Sequence, residues 1–440
     1  MPILPFLKKI IPLRFFMALQ LPYHFLLAFS AALWFWFPSR KLFVIGITGT
    51  KGKTTVVELI HEILQAGGEK TASVSSLRFR VGGDTEINEK KITMPGRFFL
   101  QRFLHRAVKS GCRYVVLEVT SEGIKQFRHR FINFSAAVMT NMEREHIESH
   151  GSFERYLRAK LDLFWRLPMS AVAVINRHDP YMDRFCAATG ARKIFYGKDE
   201  IKFLGRTYLI RDVRVGSENI SFEVGGQNFT VSLCGEFNLY NILAAVSVGL
   251  LQHISLEKIS EALAHISGIP GRMEFVQKKP FVVVVDYAHT PQSLKNVYAF
   301  LKELSQKSKA KSQNLICVLG AAGGGRDKWK RPEFGRIASQ FCGEIILTNE
   351  DPYDENPQSI LDDIENGLSQ IRNPKSEILN FRKILDRREA IREALKLAKS
   401  GDAVVITGKG AEPWIMGPDG SKIPWDDRDV VREELKKIKT

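Results

Sequence analysis

Cysteine is scarce in this chain of 440 residues, which carries five scattered copies: Cys112, Cys186, Cys234, Cys317 and Cys342. No two of them have C-x-x-C spacing, and none has a histidine partner at the spacing of a zinc site. Neither a zinc site nor a disulfide framework is indicated, so we expect reduced thiols, as in a cytosolic protein. Repeats of fixed period and low-complexity tracts are absent too. With 44% hydrophobic and 25% charged residues, the chain is expected to form a globular protein of two or three domains.

Acidic residues are outnumbered, since 48 Asp and Glu stand against 64 Lys and Arg and give a formal net charge of +16. A basic balance points to an anionic partner. Nucleic acid is not expected, because the basic residues are spread along the chain and no RNP-like, zinc-finger or basic-zipper signature is present. A polyanionic small substrate or an anionic membrane surface explains the charge equally well.

Formal charge is missing altogether between Phe15 and Ser39, and the run from Tyr23 to Phe37 is apolar on all sides. The segment is long enough to be a membrane candidate, and Trp34 and Trp36 near its end resemble interfacial aromatics. Pro22 interrupts it, basic residues flank both of its ends, and no A-x-A-like cleavage site follows. Two alternatives stay open: a helix docked on a soluble body, or membrane contact through residues 15–39 as a surface or spanning anchor.

The most informative feature present is the loop Gly46-Ile-Thr-Gly-Thr-Lys-Gly-Lys-Thr-Thr55, which lies between a strand-like and a helix-like apolar run. Glycines let backbone N–H groups approach phosphate oxygens, and a helix N-terminus favours anions. Lys53 can then reach the β- and γ-phosphates, and the hydroxyl of Thr54 or Thr55 can ligate Mg²⁺. The loop is a variant, because Ile47 stands where the G-x-x-x-x-G-K-[ST] pattern has its first glycine.

Short apolar strands follow the loop, and polar residues end them at Glu118, Thr140-Asn141 and Asn176. Ligands of open α/β sheets collect outside the carboxyl ends of parallel strands, so these residues are expected at one crevice. Residues 195–233 predict a small antiparallel patch. We therefore predict an α/β protein with an apolar N-terminal segment (1–40), a central P-loop NTPase-like domain with a mostly parallel sheet (41–268) and a C-terminal Rossmann-like domain (269–440).

Further motifs follow in chain order: Thr93-Met-Pro95, the segments 118–128, 140–151 and 156–160, Gly235-Glu-Phe-Asn-Leu-Tyr-Asn241, Pro270-Gly-Arg272, Asp286-Tyr-Ala-His-Thr-Pro291, the segment 323–331, Gly408-Lys-Gly-Ala-Glu412 and Asp426-Asp-Arg428. Together they resemble the Mur ligase family from about Leu42 to Glu434, most closely its members that add the third residue to UDP-N-acetylmuramoyl-dipeptide. The resemblance implies a cytoplasmic enzyme of peptidoglycan-precursor synthesis. It would join an amino acid to the peptide carboxylate of the UDP-muramoyl substrate through an ATP-derived acyl phosphate.

The resemblance also assigns roles to individual residues. The residues expected to carry catalysis are Lys53, Glu118, His146 and Lys160. The residues expected to bind ATP are Gly49, Thr50, Lys51, Gly52, Lys53, Thr54, Thr55, Asn241, Arg272, His289 and Arg326. The residues expected to bind the muramoyl substrate or the amino acid are Thr93, Met94, Pro95, Ser121, Gln126, Arg128, Asp351, Tyr353, Gly408 and Glu412. Two Mg²⁺ ions are expected on Thr54, Glu118, His146 and Lys160, with Lys160 acting as a carboxylate if it is carbamylated.

Three departures from the family pattern bear on function. The family's N-terminal UDP-binding domain has no counterpart in the residues before the loop, so UDP recognition would be reduced, or supplied by the apolar segment or a partner. Ala411 replaces a histidine. Glu350-Asp-Pro-Tyr353 replaces the Asp-Asn-Pro-Arg of diaminopimelate-adding relatives, so the acidic pocket is expected to disfavour a second carboxylate and to prefer a basic side chain such as lysine or ornithine.

Two rival functions remain open at this stage. One is a family cousin that extends folate or a polyglutamate chain, against which the segment 126–128 and Thr93-Met-Pro95 argue. The other is a nucleotide-dependent membrane- or nucleic-acid-binding protein without ligase turnover, which the basic charge and the apolar N-terminal segment suit.

Overall fold

A computed structural model describes residues 13–145, 147–306, 313–369 and 380–438. The helices are α1 (Leu13–Trp34), α2 (Lys53–Ala66), α3 (Arg97–Lys109), α4 (Ser121–Lys125), α5 (Ile147–His150), α6 (Phe153–Trp165), α7 (Met182–Ala187), α8 (Glu236–Leu251), α9 (Leu256–Ala264), α10 (Pro291–Gln306), α11 (Lys330–Phe341), α12 (Pro357–Ser369), α13 (Arg387–Leu397) and α14 (Asp427–Ile438). Short 3₁₀ turns occupy Pro38–Lys41 and Pro418–Gly420.

The strands alternate with these helices along the chain. They are β1 (Phe43–Thr48), β2 (Thr71–Val74), β3 (Arg78–Val81), β4 (Asp84–Ile87), β5 (Tyr114–Glu118), β6 (Phe134–Met139), β7 (Val172–Asn176), β8 (Arg192–Tyr196), β9 (Glu200–Phe203), β10 (Arg206–Val215), β11 (Ile220–Val224), β12 (Gln227–Val231), β13 (Glu274–Gln277), β14 (Val282–Asp286), β15 (Leu315–Leu319), β16 (Glu344–Leu347), β17 (Asn380–Lys383), β18 (Ala403–Thr407), β19 (Trp414–Met416) and β20 (Lys422–Pro424).

The first sheet has the order β12-β11-β10-β9-β8-β7-β6-β1-β5-β2-β3-β4. Its centre, from β8 to β2, is parallel, and both flanks are antiparallel. The central strands read as continuous Val, Ile and Ala runs because helices cover both of their faces. The carboxyl ends of β1, β5 and β6 therefore lie side by side, and the phosphate loop, Glu118 and Asn141 leave the sheet together there.

The second sheet has the order β13-β14-β18-β15-β16-β17, in which the only antiparallel pair among the described strands is β13 with β14. Two apolar clusters, one on each face, bury it beneath α10, α11 and α12 on one side and α13 and α14 on the other. The small β19-β20 ribbon follows. The α/β fold class that the sequence predicts is confirmed. The first sheet is mixed rather than mostly parallel, because its parallel centre carries antiparallel strands on both flanks.

Helix α1 packs on α3 and on the turn after α4 through a stripe of small residues, Ala28, Ala31 and Ala32, together with His24. Phe25 and Phe29 also contact the rings of Phe127 and Phe131 in that turn. Other large apolar side chains of α1 face outward, and Trp34 is 75% exposed, as is Trp36 beyond its end at 83%. This departs from the usual amphipathic arrangement, in which large apolar residues face the core. No described helix combines the length and the apolar character needed to cross a bilayer.

The expectation of five reduced thiols is wrong for one pair. Cys317 on β15 and Cys342 at the end of α11 form a disulfide, with their Cα atoms 6.0 Å apart. The β15–α11–β16 crossover brings the two residues together, a proximity that their 25-residue separation in sequence does not reveal. The other three cysteines are free.

Candidate active site

A cavity of about 430 Å³ lies between the two sheets, outside the carboxyl ends of β1 and β5. The phosphate loop and Glu118 line one side, and residues of the second sheet's loops, among them Arg326 and Glu412, line the other. Clefts of this size and polarity, between elements from different parts of the chain, are the usual place for ligands. The strand-end residues Glu118 and Asn141 both line it, as the sequence predicts, whereas Asn176 instead donates from Nδ2 to the backbone oxygen of Thr140.

The phosphate loop holds its shape through two glycines at positive φ. Gly49 has φ +145°, and a Cβ there would lie 1.9 Å from the Thr140 hydroxyl oxygen. Gly52 has φ +80°, and a Cβ there would lie 2.1 Å from Oδ1 of Asn241. Only glycine tolerates these positions. Gly52 also precedes the first residue of α2, so the positive end of the helix faces the cavity.

Lys53 turns back over the loop and donates from Nζ to the backbone oxygens of Gly49 (3.1 Å) and Thr50 (2.9 Å). Burial lowers the pKa of Lys53, and the nearby carboxylates of Glu118 and Glu145 oppose that shift. The ammonium is thus partly desolvated against two carbonyls of the loop, where it would interact strongly with a phosphate charge. A cation at this position could contact the outer phosphates of a nucleotide bound to the loop.

Glu118 and Thr54 form the part of the site that suits Mg²⁺. The Thr54 hydroxyl donates to Oε2 of Glu118 (3.0 Å), which also accepts from the backbone N–H of Ser76 (3.0 Å). No group of three or more His, Cys, Asp or Glu able to hold a metal occurs among the described residues. That donor set nevertheless fits the ion, since Mg²⁺ is usually held by one or two carboxylates, with phosphate oxygens and waters as its other ligands.

A second charged group joins the phosphate loop to the second sheet's loops. Lys51 Nζ lies 3.2 Å from Oε1 of Glu145 and 3.4 Å from Nε2 of His289. Burial and the Lys51 charge lower the pKa of His289 to about 3. His289 is therefore neutral at physiological pH, which suits contact with an uncharged base or ribose rather than with a phosphate.

Lys160 is buried behind the loop, where its side chain on α6 donates from Nζ to the backbone oxygen of Gly49 (2.6 Å). Burial, reinforced by Lys53, lowers the pKa of Lys160 well below its ordinary value. His146, expected as a metal ligand, lies outside the described residues.

The far side of the cavity holds an ion-pair cluster of two carboxylates and two ammonium groups. Lys409 Nζ lies 2.9 Å from Oδ1 of Asp351 and 2.6 Å from Oε2 of Glu412, and Lys91 Nζ lies 2.8 Å from Oδ2 of Asp351 and 3.0 Å from Oε2 of Glu412. Although burial opposes ionisation, Lys409 and Lys91 lower the pKa of Glu412 to about 2. Glu412 is therefore ionised at any physiological pH, and the charges of the four side chains cancel.

Other predicted residues fall around this cluster and at the opposite end of the cavity. Those that line it with Arg326 are Thr93, Met94, Ser121, Arg128, Asn241, Arg272, His289 and Tyr353. The guanidinium of Arg272 lies 4.0 Å from the centre of the Tyr287 ring. Pro95, Gln126 and Gly408 do not line it directly. A Cβ at Gly408 would lie 2.3 Å from Oε2 of the buried Glu350.

Sequence reasoning missed the roles of Lys91, Ser76 and Lys409 in this cavity. Ser76 supplies two donors to Glu118, and Lys91 bridges residues that follow it by 260 positions or more. Their side chains belong to common surface types, so composition gives no signal for them. For Lys91 the available hint was its place two residues before Thr93-Met-Pro95; for Lys409 it was its place inside the Gly408–Glu412 motif.

Family comparisons agree with this geometry. Residues 47–249 match the Mur ligase middle domain, and residues 271–410 match the family model described as Mur ligase, glutamate ligase domain. A curated relative from Aquifex aeolicus (strain VF5), named UDP-N-acetylmuramoyl-L-alanyl-D-glutamate–2,6-diaminopimelate ligase, is 38% identical over 92% of this chain and 80% of its own length.

Solved structures extend the comparison. One structure of a UDP-N-acetylmuramoyl-L-alanyl-D-glutamate–2,6-diaminopimelate ligase is 30% identical, with a TM-score of 0.59 over 91% of this chain and 79% of that one. The folylpolyglutamate synthase of Mycobacterium tuberculosis has a TM-score of 0.66 over 89% of this chain and 96% of its own, but at 17% identity it shares the fold alone. The resemblance predicted from the motifs is confirmed: the chain belongs to the Mur ligase family and is an ATP-dependent ligase.

Proposed function

We propose that this protein joins an amino acid to the peptide carboxylate of UDP-N-acetylmuramoyl-dipeptide, a step of peptidoglycan-precursor synthesis. The observation that carries the proposal is the cavity itself, which has a phosphate loop at one end and the charge-balanced Asp351–Glu412 cluster at the other. The relatives that match most of the chain bear the name of this activity. We also propose that residues 41–268 and 269–440 are the two domains that form the cavity, and that the enzyme works in the cytoplasm.

The chemistry divides between the two ends of the cavity. The substrate carboxylate attacks the γ-phosphorus of ATP, ADP leaves, and the amine of the amino acid then displaces phosphate from the acyl phosphate with loss of a proton. Lys53 stabilises the charge on the transferring phosphoryl group, while Glu412 holds the incoming ammonium. The protein therefore contributes mainly positioning and electrostatics.

Magnesium would neutralise phosphate charge at Thr54 and Glu118 when bound. We further propose a second Mg²⁺ ion, bound by His146 and a carbamylated Lys160. The geometry supports the lysine's role, because Lys160 reaches the Gly49 carbonyl from behind the loop and has a lowered pKa that favours the neutral amine needed to take up CO₂.

Replacing Lys160 with alanine is expected to lower turnover about 10- to 100-fold, because the proposed second Mg²⁺ would lose its anionic ligand. Acetate or formate should restore part of the rate by filling the space with a small carboxylate. Arg158→Ala, which removes an exposed cation from the same helix, serves as the control and should change little. Full activity of Lys160→Ala, or of wild-type enzyme prepared without CO₂, would contradict carbamylation.

Three observations bear on which amino acid is added. The relatives' names supply 2,6-diaminopimelate, whereas Tyr353 and the acidic run 350–355 favour lysine or ornithine. The charges of the described residues favour diaminopimelate. Lys91 and Lys409 offset Asp351 and Glu412, so these four groups carry no net negative charge that would repel a second carboxylate. We therefore propose diaminopimelate, with Lys91 facing its second carboxylate. The preference for a basic side chain stays a prediction.

Phosphate release from ATP with UDP-N-acetylmuramoyl-dipeptide tests both the ligase activity and the choice of amino acid. Diaminopimelate, lysine, ornithine and alanine are compared by kcat/KM under one set of conditions, with dihydrofolate and glutamate as the folate control. Release with a muramoyl substrate and one of these amino acids establishes the ligase. A clear preference for lysine or ornithine would reject diaminopimelate and leave the ligase intact, whereas release only with dihydrofolate and glutamate would reject the function.

We also propose that the outward face of α1 touches an anionic membrane surface. Its exposed side chains include Leu21, Leu26, Leu33 and Trp34, Trp36 is exposed just beyond its end, and no Asp or Glu occurs before Glu58. Arg40 and Lys41 follow directly, so an apolar face lies beside cationic groups, as in helices that lie in a lipid interface.

Co-sedimentation with vesicles rich in phosphatidylglycerol measures this contact. We expect binding at low salt and about tenfold weaker binding when Trp34 and Trp36 are replaced by serine, because two large apolar side chains no longer enter the interface. Trp165→Ser, which alters a 54% exposed tryptophan on α6, is the matched control. Equal binding by the double variant and wild type, or dimerisation through this face without vesicle binding, would contradict the proposal.

A further inference from the structure

Two arginines and a buried histidine come together where α1 crosses the N-terminus of α3, outside the ion pairs described above. Arg97 is the first residue of α3, Arg128 follows α4, and His24 is the one polar residue among the buried α1 residues that the structure describes. Arg128 also lines the main cavity beside Met94 and Ser121. Arg128 therefore links the cluster to the cavity at the end where the muramoyl substrate is proposed to bind.

The two guanidinium groups are held in place by neutral partners. Arg97 donates from Nη2 to the backbone oxygen of Gln126, and Arg128 donates from Nη1 to that of Met94 and from Nη2 to the Gln126 side-chain oxygen (2.7 Å). Among the described residues, no carboxylate lies within 4 Å of either guanidinium. Their Nε atoms are buried and without a hydrogen-bond partner in that part of the chain.

His24 adds an independent sign that a ligand is needed here. It is 7% exposed, and its Nδ1 has no hydrogen-bond partner among the described residues. Burial and the charges of Arg97 and Arg128 lower its pKa to about 4, so the ring is a neutral group close to two cations. Burial and Arg128 likewise lower the pKa of Arg97 to about 10.

Like charges gathered in a partly desolvated place destabilise each other unless an anion joins them. Helix α3 adds to the same field, since it begins at Gly96 without a side-chain cap and directs its positive end to this point. Paired guanidinium groups match the oxygens of phosphate and diphosphate better than they match a single carboxylate.

We propose that Arg97, Arg128 and His24 form a subsite for the diphosphate of the muramoyl substrate, and that α1 closes one side of it. The inference rests on the proposed function for the identity of the substrate, but the diphosphate chemistry stands on the cluster alone. Both a nucleotide-linked and a polyprenyl-linked muramoyl-dipeptide carry this group, and the second would suit a helix whose outer face touches lipid.

Steady-state kinetics of Arg97→Gln test the subsite. We expect KM for UDP-N-acetylmuramoyl-dipeptide to rise about tenfold, as is typical for loss of a charge-assisted hydrogen bond, while KM for ATP and for the amino acid stays unchanged. Arg106→Ala, an exposed arginine on the same helix paired with Glu86, is the matched control. His24→Phe keeps the buried volume and should raise the same KM to a smaller extent.

Substrate variants separate the sources of the diphosphate. Wild-type enzyme is compared on the UDP-linked substrate, on muramoyl-dipeptide without phosphate, and on polyprenyl-diphosphate-linked muramoyl-dipeptide in detergent. An Arg97→Gln defect on both diphosphate substrates but not on the phosphate-free one supports the proposal, and the wild-type kcat/KM tells which source is used. The same defect on the phosphate-free substrate, or no defect at all, overturns it.

Binding of inorganic pyrophosphate keeps the subsite testable if no muramoyl substrate reacts. Calorimetry is done with a saturating non-hydrolysable ATP analogue that fills the phosphate loop. Binding by wild type and about tenfold weaker binding by Arg97→Gln support the subsite even where the ligase function fails. Equal binding by the two proteins, with equal melting temperatures, rejects the subsite whatever the enzyme's substrate is.

Discussion

Replacing Lys53 with alanine is expected to reduce turnover at least about 100-fold, equivalent to about 2.7 kcal/mol in the activation barrier. The reason is local, because Lys53 is a partly buried cation that donates to the carbonyls of Gly49 and Thr50 at the N-terminus of α2. A cation held there stabilises charge that develops during phosphoryl transfer, and its removal is felt most in the transition state. The effect should appear in kcat rather than in KM for the amino acid.

The Lys53 variant needs a check on folding, since its side chain also fixes the loop. Thermal unfolding should change little, because both loop glycines and the contacts of Thr140 and Asn141 with Lys51 remain. Lys109→Ala removes an exposed lysine at the end of α3 and should leave the rate unchanged. Phosphate release at the wild-type rate by Lys53→Ala would remove the phosphate-loop role from residues 46–55.

How far the sequence predicts this site depends on how local each contact is. The loop, Glu118 and Asn141 are predictable because strand ends of a parallel sheet meet at one edge and because Gly49 and Gly52 adopt backbone conformations that other residues avoid. Conversely, Lys91 reaches Asp351 across 260 positions, and no periodicity encodes that contact.

The way in which the N-terminal segment packs could not be predicted from the sequence either. Its apolar composition predicts a helix but not which face is buried, because every face is hydrophobic. The structure buries the small side chains Ala28, Ala31 and Ala32, since these allow α1 to approach α3 closely, and leaves the tryptophans outside. The disulfide between Cys317 and Cys342 was not predictable either, because only the β15–α11–β16 crossover brings the two cysteines together.

The acidic run 350–355 shows that the charge of a site depends on the fold as well as on the sequence. Counting its carboxylates predicts a negative pocket, yet Lys409 and Lys91 arrive from two other segments and cancel Asp351 and Glu412. Glu350 is buried, and desolvation raises its pKa, while the charges of Arg387 and Lys409 oppose that shift. The net charge of a folded site depends on which distant segments meet there, and the sequence pattern does not show that.

Replacing Glu412 with glutamine is expected to lower kcat/KM for the amino acid about 100-fold while KM for ATP stays unchanged. Glutamine keeps the shape but loses the charge that holds an ammonium, and a buried charge pair with one partner removed costs about 2–5 kcal/mol. Because the pKa of Glu412 is about 2, the defect should be equal at pH 6 and pH 8.

Two further variants distinguish two roles of Glu412, which are to bind the amine and to maintain the ion pairs with Lys91 and Lys409. Tyr287→Phe removes the hydroxyl that donates to Oε1 of Glu412 (2.8 Å) and should give a smaller loss in the same parameter, since the carboxylate keeps both lysines. Glu433→Gln, at an exposed carboxylate paired with Arg388, should have no effect. If Glu412→Gln and wild type share one kcat/KM for the amino acid, the amine binds elsewhere. If Glu412→Gln also raises KM for ATP, the ion pairs with Lys91 and Lys409 serve to hold the two sides of the cavity together, and Glu412 acts on the substrate only through that closure.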